Sequence, residues 1–201
     1  VQTRTSRFAV AGAVLAVAAT LLPGGTPARA SAAGPSDEAC LMQATTGEVR
    51  CYPSADALLE AVTGEPASGL STSDLADPDT VAAIEAGLSG ASGEPAFRAA
   101  GAPAAPLASV VTAIFYDGLN STGAALVMEA PSGCDDDPDV DWAWPTLTTA
   151  WRNRIRSGVG YARCEFKVWN NASYGGASYG YVASSGYFGA LDAAANSVKM
   201  R

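Results

Sequence analysis

The sequence predicts a mainly β protein, a sandwich of two sheets, with a small hairpin-helix segment ahead of it. Three observations carry that expectation. From Leu107 onward Tyr, Trp, Val and Ser rise and Gly recurs at turns, the composition of short strands joined by tight loops. All four tryptophans, and every tyrosine except Tyr52, lie beyond residue 106. The same region also repeats itself. At an offset of 53, Phe115, Tyr116 and Asp117 lie over Val168, Trp169 and Asn170, and Gly123 and Ala124 over Gly176 and Ala177, and two copies of one four-strand unit build a two-sheet sandwich.

Composition narrows the chemistry. The chain has 201 residues, a formal charge of -8 and no histidine. That absence removes Ser-His-Asp and Cys-His catalysis, histidine general bases and every zinc site that needs imidazole. The acidic balance argues against a nucleic-acid or anionic-membrane partner.

Residues 1–30 read as a signal peptide. Arg4 and Arg7 open it, an apolar run spans Phe8 to Leu22, and Pro23, Gly24 and Gly25 break the run. That run is shorter than the ~20 residues a membrane span needs. Ala28-Arg29-Ala30 offers a cleavage site before Ser31, with Ala30-Ser31-Ala32 as a second. The expected location is therefore secreted and extracellular, with no membrane attachment after cleavage.

Residues 31–88 read as an accessory hairpin-helix module or a pro-region. Cys40 and Cys51 flank a turn with Gly47 at its tip, so an antiparallel hairpin sets them side by side. Ser54 can cap a helix over ADALLEAVTG that Gly64 stops. Asp77 followed by Pro78 signals a second helix through TVAAIEAGL, ending near Gly87 or Gly90. Large apolar residues are few in these helices, too few to predict a core of their own. Residues 89–106, rich in Ala, Gly and Pro, read as a linker.

The β region, residues 107–201, divides into units 107–160 and 161–201. SVVTAIFYD, AALVMEA, CEFKVWN, ASYGYVA and NSVKM read as its strands. Export favours disulfides. Of the three ways to join four cysteines, Cys40–Cys51 follows from the hairpin and Cys134–Cys164 by elimination.

The second unit, WNNASYGGASYGY, resembles the Greek-key motif of βγ-crystallins: an aromatic, a second aromatic five residues on, and Gly two further. Trp169, Tyr174 and Gly176 match it. The first unit keeps Tyr116 and Gly123, has Ser121 at the second aromatic position, and carries an insertion, CDDDPDVDWAW. The resemblance covers residues 108–201. It implies a two-sheet Greek-key sandwich of βγ-crystallin type, with the aromatic packed in a folded hairpin and the Gly at positive φ. The hairpin-helix segment looks like that of exported actinobacterial members.

Microbial βγ-crystallins often bind calcium through a window N/D-N/D-x-x-S/T-S in each unit, and Ca²⁺ wants six to eight oxygens. The resemblance places these windows at residues 152–157 and 192–197. In the first, Arg152 holds an acid or amide position, Asn153 keeps an oxygen, and Arg156 replaces the hydroxyl ligand. A guanidinium only donates. In the second, Asp192, Asn196 and Ser197 keep oxygens and Ala193 has none. The expectation is calcium binding that is weakened or lost. The residues left to carry it are Asp192, Asn196, Ser197 and Asn153. A second candidate for Ca²⁺ is the loop bearing Asp135, Asp136, Asp137, Asp139 and Asp141. It lacks the spacing and the Gly of an EF-hand, and a solvated acidic loop is the simpler expectation.

The predicted role is non-enzymatic: a stable extracellular module. There is no nucleophile elbow, phosphate loop or dinucleotide fingerprint. A hydrolase would have to use carboxylates such as Asp117, Glu129 or Glu165. The other alternative is a secreted protease inhibitor or toxin-like binder, a resemblance of fold type with no inhibitory loop assigned. Partners, if any, would be an extracellular protease or a glycan. Trp142, Trp144 and Trp151, with Tyr174, Tyr179, Tyr181 and Tyr187, would suit such a surface if exposed; burial in the core is the commoner fate.

Overall fold

The computed structural model describes residues 37–90 and 109–201. These all fall within one compact unit, Ala33–Arg201. The signal peptide expected over residues 1–30, and nearly all of the linker expected over 89–106, lie outside the described residues.

The chain opens as a hairpin, β1 (Ala39–Gln43) and β2 (Val49–Tyr52), paired antiparallel with Cys40 opposite Cys51. Gly47 supplies the left-handed turn residue at φ 70°. Two helices follow. In α1 (Ala55–Thr63) the Ser54 hydroxyl accepts from the Ala57 N–H, and Gly64 at φ 75° ends the helix. In α2 (Pro78–Leu88) the Asp77 carboxylate accepts from the Asp79 N–H, and Pro78 sits where no intrahelical donor is needed.

The eight strands beyond are β3 (Val110–Tyr116), β4 (Ala125–Ala130), β5 (Trp142–Trp144), β6 (Ser157–Gly160), β7 (Phe166–Trp169), β8 (Ser178–Val182), β9 (Ser184–Ser185) and β10 (Ser197–Met200). One sheet runs β2-β1-β4-β3-β6-β9 and the other β5-β10-β7-β8. Each repeat therefore keeps its first, second and fourth strands in one sheet and lends its third, β5 or β9, to the other. That exchange is a pair of interlocked Greek keys, the two-sheet sandwich expected. The five strands read from the sequence are all present. The other three are short or glycine-containing, and their composition carried no strand signal.

Between the sheets lies the main core, with Phe115, Phe166, Phe188, Trp151, Leu126, Val168, Val198 and Met200 buried. Phe115 and Phe166 meet edge to face at 5.0 Å, a favoured aromatic geometry. The tryptophans do not form an exposed cluster. Trp144 and Trp151 are core residues. Trp142 is half-buried, its indole N–H donating to the Ser132 carbonyl at 3.1 Å.

The N-terminal segment is not an accessory module. β1 pairs in parallel with β4 over five residues, from Ala39 beside Ala125 to Gln43 beside Glu129. The helices then cover the outer face of that sheet. Leu58, Val62, Leu75, Val81 and Ile84 pack on Leu41, Val111, Ile114, Tyr116, Ala125 and Val127. The few large apolar residues of α1 and α2 suffice because the sheet supplies the rest of this second core. The result is three layers, helices on sheet on sheet, and it buries every residue of β4. No helix among the described residues is long and apolar enough to cross a membrane.

Both expected disulfides are formed, Cys40–Cys51 and Cys134–Cys164.

Candidate functional site

The two repeats close on each other through residues 152–157 and 192–197. In each, a serine locks the hairpin of its own unit. Ser157 donates to the Gly118 carbonyl at 2.7 Å and accepts from the Ser121 N–H at 3.1 Å. Ser197 donates to the Asn171 carbonyl at 2.7 Å and accepts from the Tyr174 N–H at 3.1 Å. Those partners are equivalent positions of the repeat. The hairpins match in backbone as well: Ser121 and Tyr174 both sit at φ 60°, and Gly123 and Gly176 lie at 81° and 77°. A Cβ at Gly123 would run into the Asp117 carboxylate, and one at Gly176 into the Asn170 amide.

The two windows lie side by side. The Asn153 N–H donates to the Ala195 carbonyl at 2.9 Å, and the Ala193 N–H to the Ile155 carbonyl at 3.2 Å. This reciprocal pairing brings the first position of each window toward the fifth of the other. On one side these are Asp192 and Arg156. The guanidinium grips both carboxylate oxygens, Nε to Oδ1 and Nη2 to Oδ2, each at 2.7 Å. The hydrogen bonds from Arg156 hold the Asp192 carboxyl below its ordinary pKa. On the other side the positions are Arg152 and Asn196. Arg152 turns to the Thr149 hydroxyl at 2.9 Å. The Asn196 amide nitrogen donates to Asn153 Oδ1 and the Asn170 carbonyl, both at 2.7 Å, and to the Ala194 carbonyl at 3.1 Å.

The four residues expected as metal ligands therefore have other work. Asn153 and Asn196 meet, but as acceptor and donor. Ser197 faces its own hairpin, and Asp192 is saturated by a guanidinium. This donor set does not fit Ca²⁺, which needs converging oxygens.

The aspartate loop is likewise engaged locally. Asp135 accepts from the Asp137 N–H at 3.0 Å and Asp137 from the Asp139 N–H at 2.8 Å, both short turns. Asp136 pairs with Arg163 at 3.1 Å on an exposed surface. Asp141 is shielded from water, which together with its acidic neighbours raises its pKa. Arg163 and Arg201 line the shallow depression beside the loop, so it already holds positive charge.

The carboxylates considered for catalysis do not converge. Asp117 follows β3 in the six-stranded sheet, accepts from the Ala124 N–H at 2.7 Å and pairs with Arg154 at 2.9 Å. Glu165 precedes β7 in the other sheet and pairs with Arg201 at 3.3 Å. Glu129 is buried in β4, where burial raises its pKa.

One feature escaped the sequence reading, the outward face of the four-stranded sheet. Lys167 and Trp169 alternate with buried Phe166 and Val168 along β7, and Lys199 does so with Val198 and Met200 along β10. The signal was present as period-two patterning in FKVW and SVKM, though neither segment alone showed that the two lysines would be neighbours.

No family model matches the chain, and no curated protein matches it. Solved structures do. The N-terminal domain of protein S is 14% identical with a TM-score of 0.35, over 45% of this chain and 94% of that one. A mutant βγ-crystallin domain from Clostridium beijerinckii is 20% identical with a TM-score of 0.34, over 44% of this chain and 95% of that one. A βγ-crystallin from an archaeon is 16% identical with a TM-score of 0.32, over 45% of this chain and 98% of that one. The crystallin-like fold itself rests on the strand exchange between the sheets.

Proposed function

We propose that this chain is an exported, non-enzymatic protein of crystallin-like fold, a stable module in which a guanidinium takes over the bridging that calcium gives its metal-binding relatives. The observation that carries the proposal is the two-point grip of Arg156 on Asp192. It joins one repeat to the other with a fixed positive charge, and charge-assisted forks of this kind combine strength with defined geometry. Export is supported by the apolar leader of the sequence and by two disulfides. A non-catalytic role is supported by the dispersal of Asp117, Glu129 and Glu165, two of which are neutralised by arginines.

The test is a thermal melt of the full chain with excess Ca²⁺ and then with chelator. A ligand that binds only the folded state raises the midpoint. The wild type is expected to melt at the same temperature in both. Arg156→Ser, which frees Asp192 and restores a hydroxyl, is expected to melt lower in chelator and to recover with Ca²⁺. A wild-type midpoint that rises clearly with Ca²⁺ overturns the proposal. Alanine at Asp192 or at Asp137 would then locate the ion.

A further inference from the structure

The outer face of the four-stranded sheet is charged opposite to the chain as a whole. The net charge is -8 and the only two lysines are Lys167 and Lys199. Both lie on this face, directly opposite each other across β7 and β10. Neither forms an ion pair among the described residues. Arg201, next after β10, lies on the same face and is paired with Glu165 at 3.3 Å.

Three half-buried rings share the face. Lys199 Nζ lies 4.2 Å from the Tyr174 ring centre, and the Arg201 guanidinium 4.1 Å from that of Tyr181. Lys167 Nζ lies 5.2 Å from Trp169 and 5.6 Å from Tyr181. Trp169 and Tyr174 meet edge-on at 5.5 Å. Like charges directly opposite in a sheet are unfavourable. The rings relieve this in part, since each offers a cation its negative face. An anion spanning both lysines would relieve it fully.

We propose that this face binds an acidic polysaccharide, its carboxylates drawing Lys167 and Lys199 off the rings they now cover and its sugar rings resting on the Trp169 and Tyr174 faces so opened. Charge complementarity selects an anion. The acidic balance of the chain and its few cations argue against a nucleic acid, whose binding surfaces are extended and strongly basic. The apolar faces of pyranose rings suit flat aromatic side chains held nearly in place. The surface is separate from the Arg156–Asp192 clamp, and its occupancy does not depend on calcium.

The experiment is affinity electrophoresis of the full chain in polygalacturonate, in neutral dextran and with oligothymidylate. Retardation by polygalacturonate that fades as salt rises is expected, with little by dextran. The double variant Lys167→Gln with Lys199→Gln should bind at least tenfold more weakly. Its melting midpoint should not fall, because the change removes a repulsion, so loss of binding cannot be put down to unfolding. Trp169→Ala should weaken binding without changing the salt dependence. Three results would overturn the proposal: no retardation by polygalacturonate at low salt, retardation unchanged in the double variant, or tighter binding to oligothymidylate.

Discussion

Ser157 and Ser197 do the same task forty residues apart, and each is fully buried with both of its hydrogen-bond partners on backbone. Removing a buried hydroxyl strands the groups it served at a cost of about 1–3 kcal/mol. Ser197→Ala is therefore expected to lower stability by about that much in a denaturant titration, with or without Ca²⁺; a neutral result would mean the hairpin is held by something else. Asp192 behaves differently because it titrates. Its folded pKa lies below the ordinary value, so its contribution is present above about pH 4 and is lost as pH falls through the folded pKa. Arg156→Ser should flatten that acid limb of the stability curve. The motif glycines and the closing serines were legible in the sequence because they recur at repeat positions. The partnership of Arg156 with Asp192 was not, since the first shows only as a lost ligand and the second as a kept one. Their meeting depends on how two distant windows lie side by side.

Among the elements, the helices gain their stability from the sheet beneath them. Their ends were legible: Ser54, Gly64 and the Asp77-Pro78 pair are local signals, and each acts locally. Their packing partners lie on strands far along the chain, and nothing in a short window reports that. One signal did point there. The unbroken apolar run of AALVM departs from the alternation of a half-exposed strand and fits a strand covered on both faces, as β4 is. Leu41 sits at the junction, fully buried between β4 and the helices. Leu41→Ala is expected to cost about 2–5 kcal/mol and to lower the single unfolding transition of the whole chain. Two separate transitions, with only the smaller one shifted, would mean that the segment folds apart from the sandwich. β5, β6 and β9 were invisible in the sequence because they are short and owe their place to longer strands beside them, β5 at the edge next to β10 and β6 between β3 and the edge strand β9.

For the whole molecule, the third-strand exchange and the parallel β1–β4 pairing tie every part to distant sequence. No disulfide joins the two halves, because each closes within its own. Cutting the chain at a protease site inserted between residues 90 and 109 should thus give two pieces that travel together on gel filtration. They should part on a denaturing gel without reductant. Pieces that separate under native conditions would show the N-terminal half to be dispensable. The sandwich was legible at this scale because repetition is a global property that sequence displays directly. The third layer was not, since a parallel pairing between the first and fourth strands leaves no periodic trace.

The parallel seam also sets an order of events in time. β1 leaves the ribosome well before β4 exists, so the strand that completes one side of the sheet waits for its partner. During that interval its hairpin can pair, since these contacts are local and quick to form, and Cys40–Cys51 closes once the chain reaches an oxidising compartment. Its far edge and the apolar faces of α1 and α2 stay uncovered until residues 110–130 arrive. A nascent chain stopped in that stretch presents an open strand edge beside exposed apolar helices, the surface from which aggregation starts. The hazard in making this protein therefore lies in its middle, and a delay in synthesis there should do more harm than one at either end.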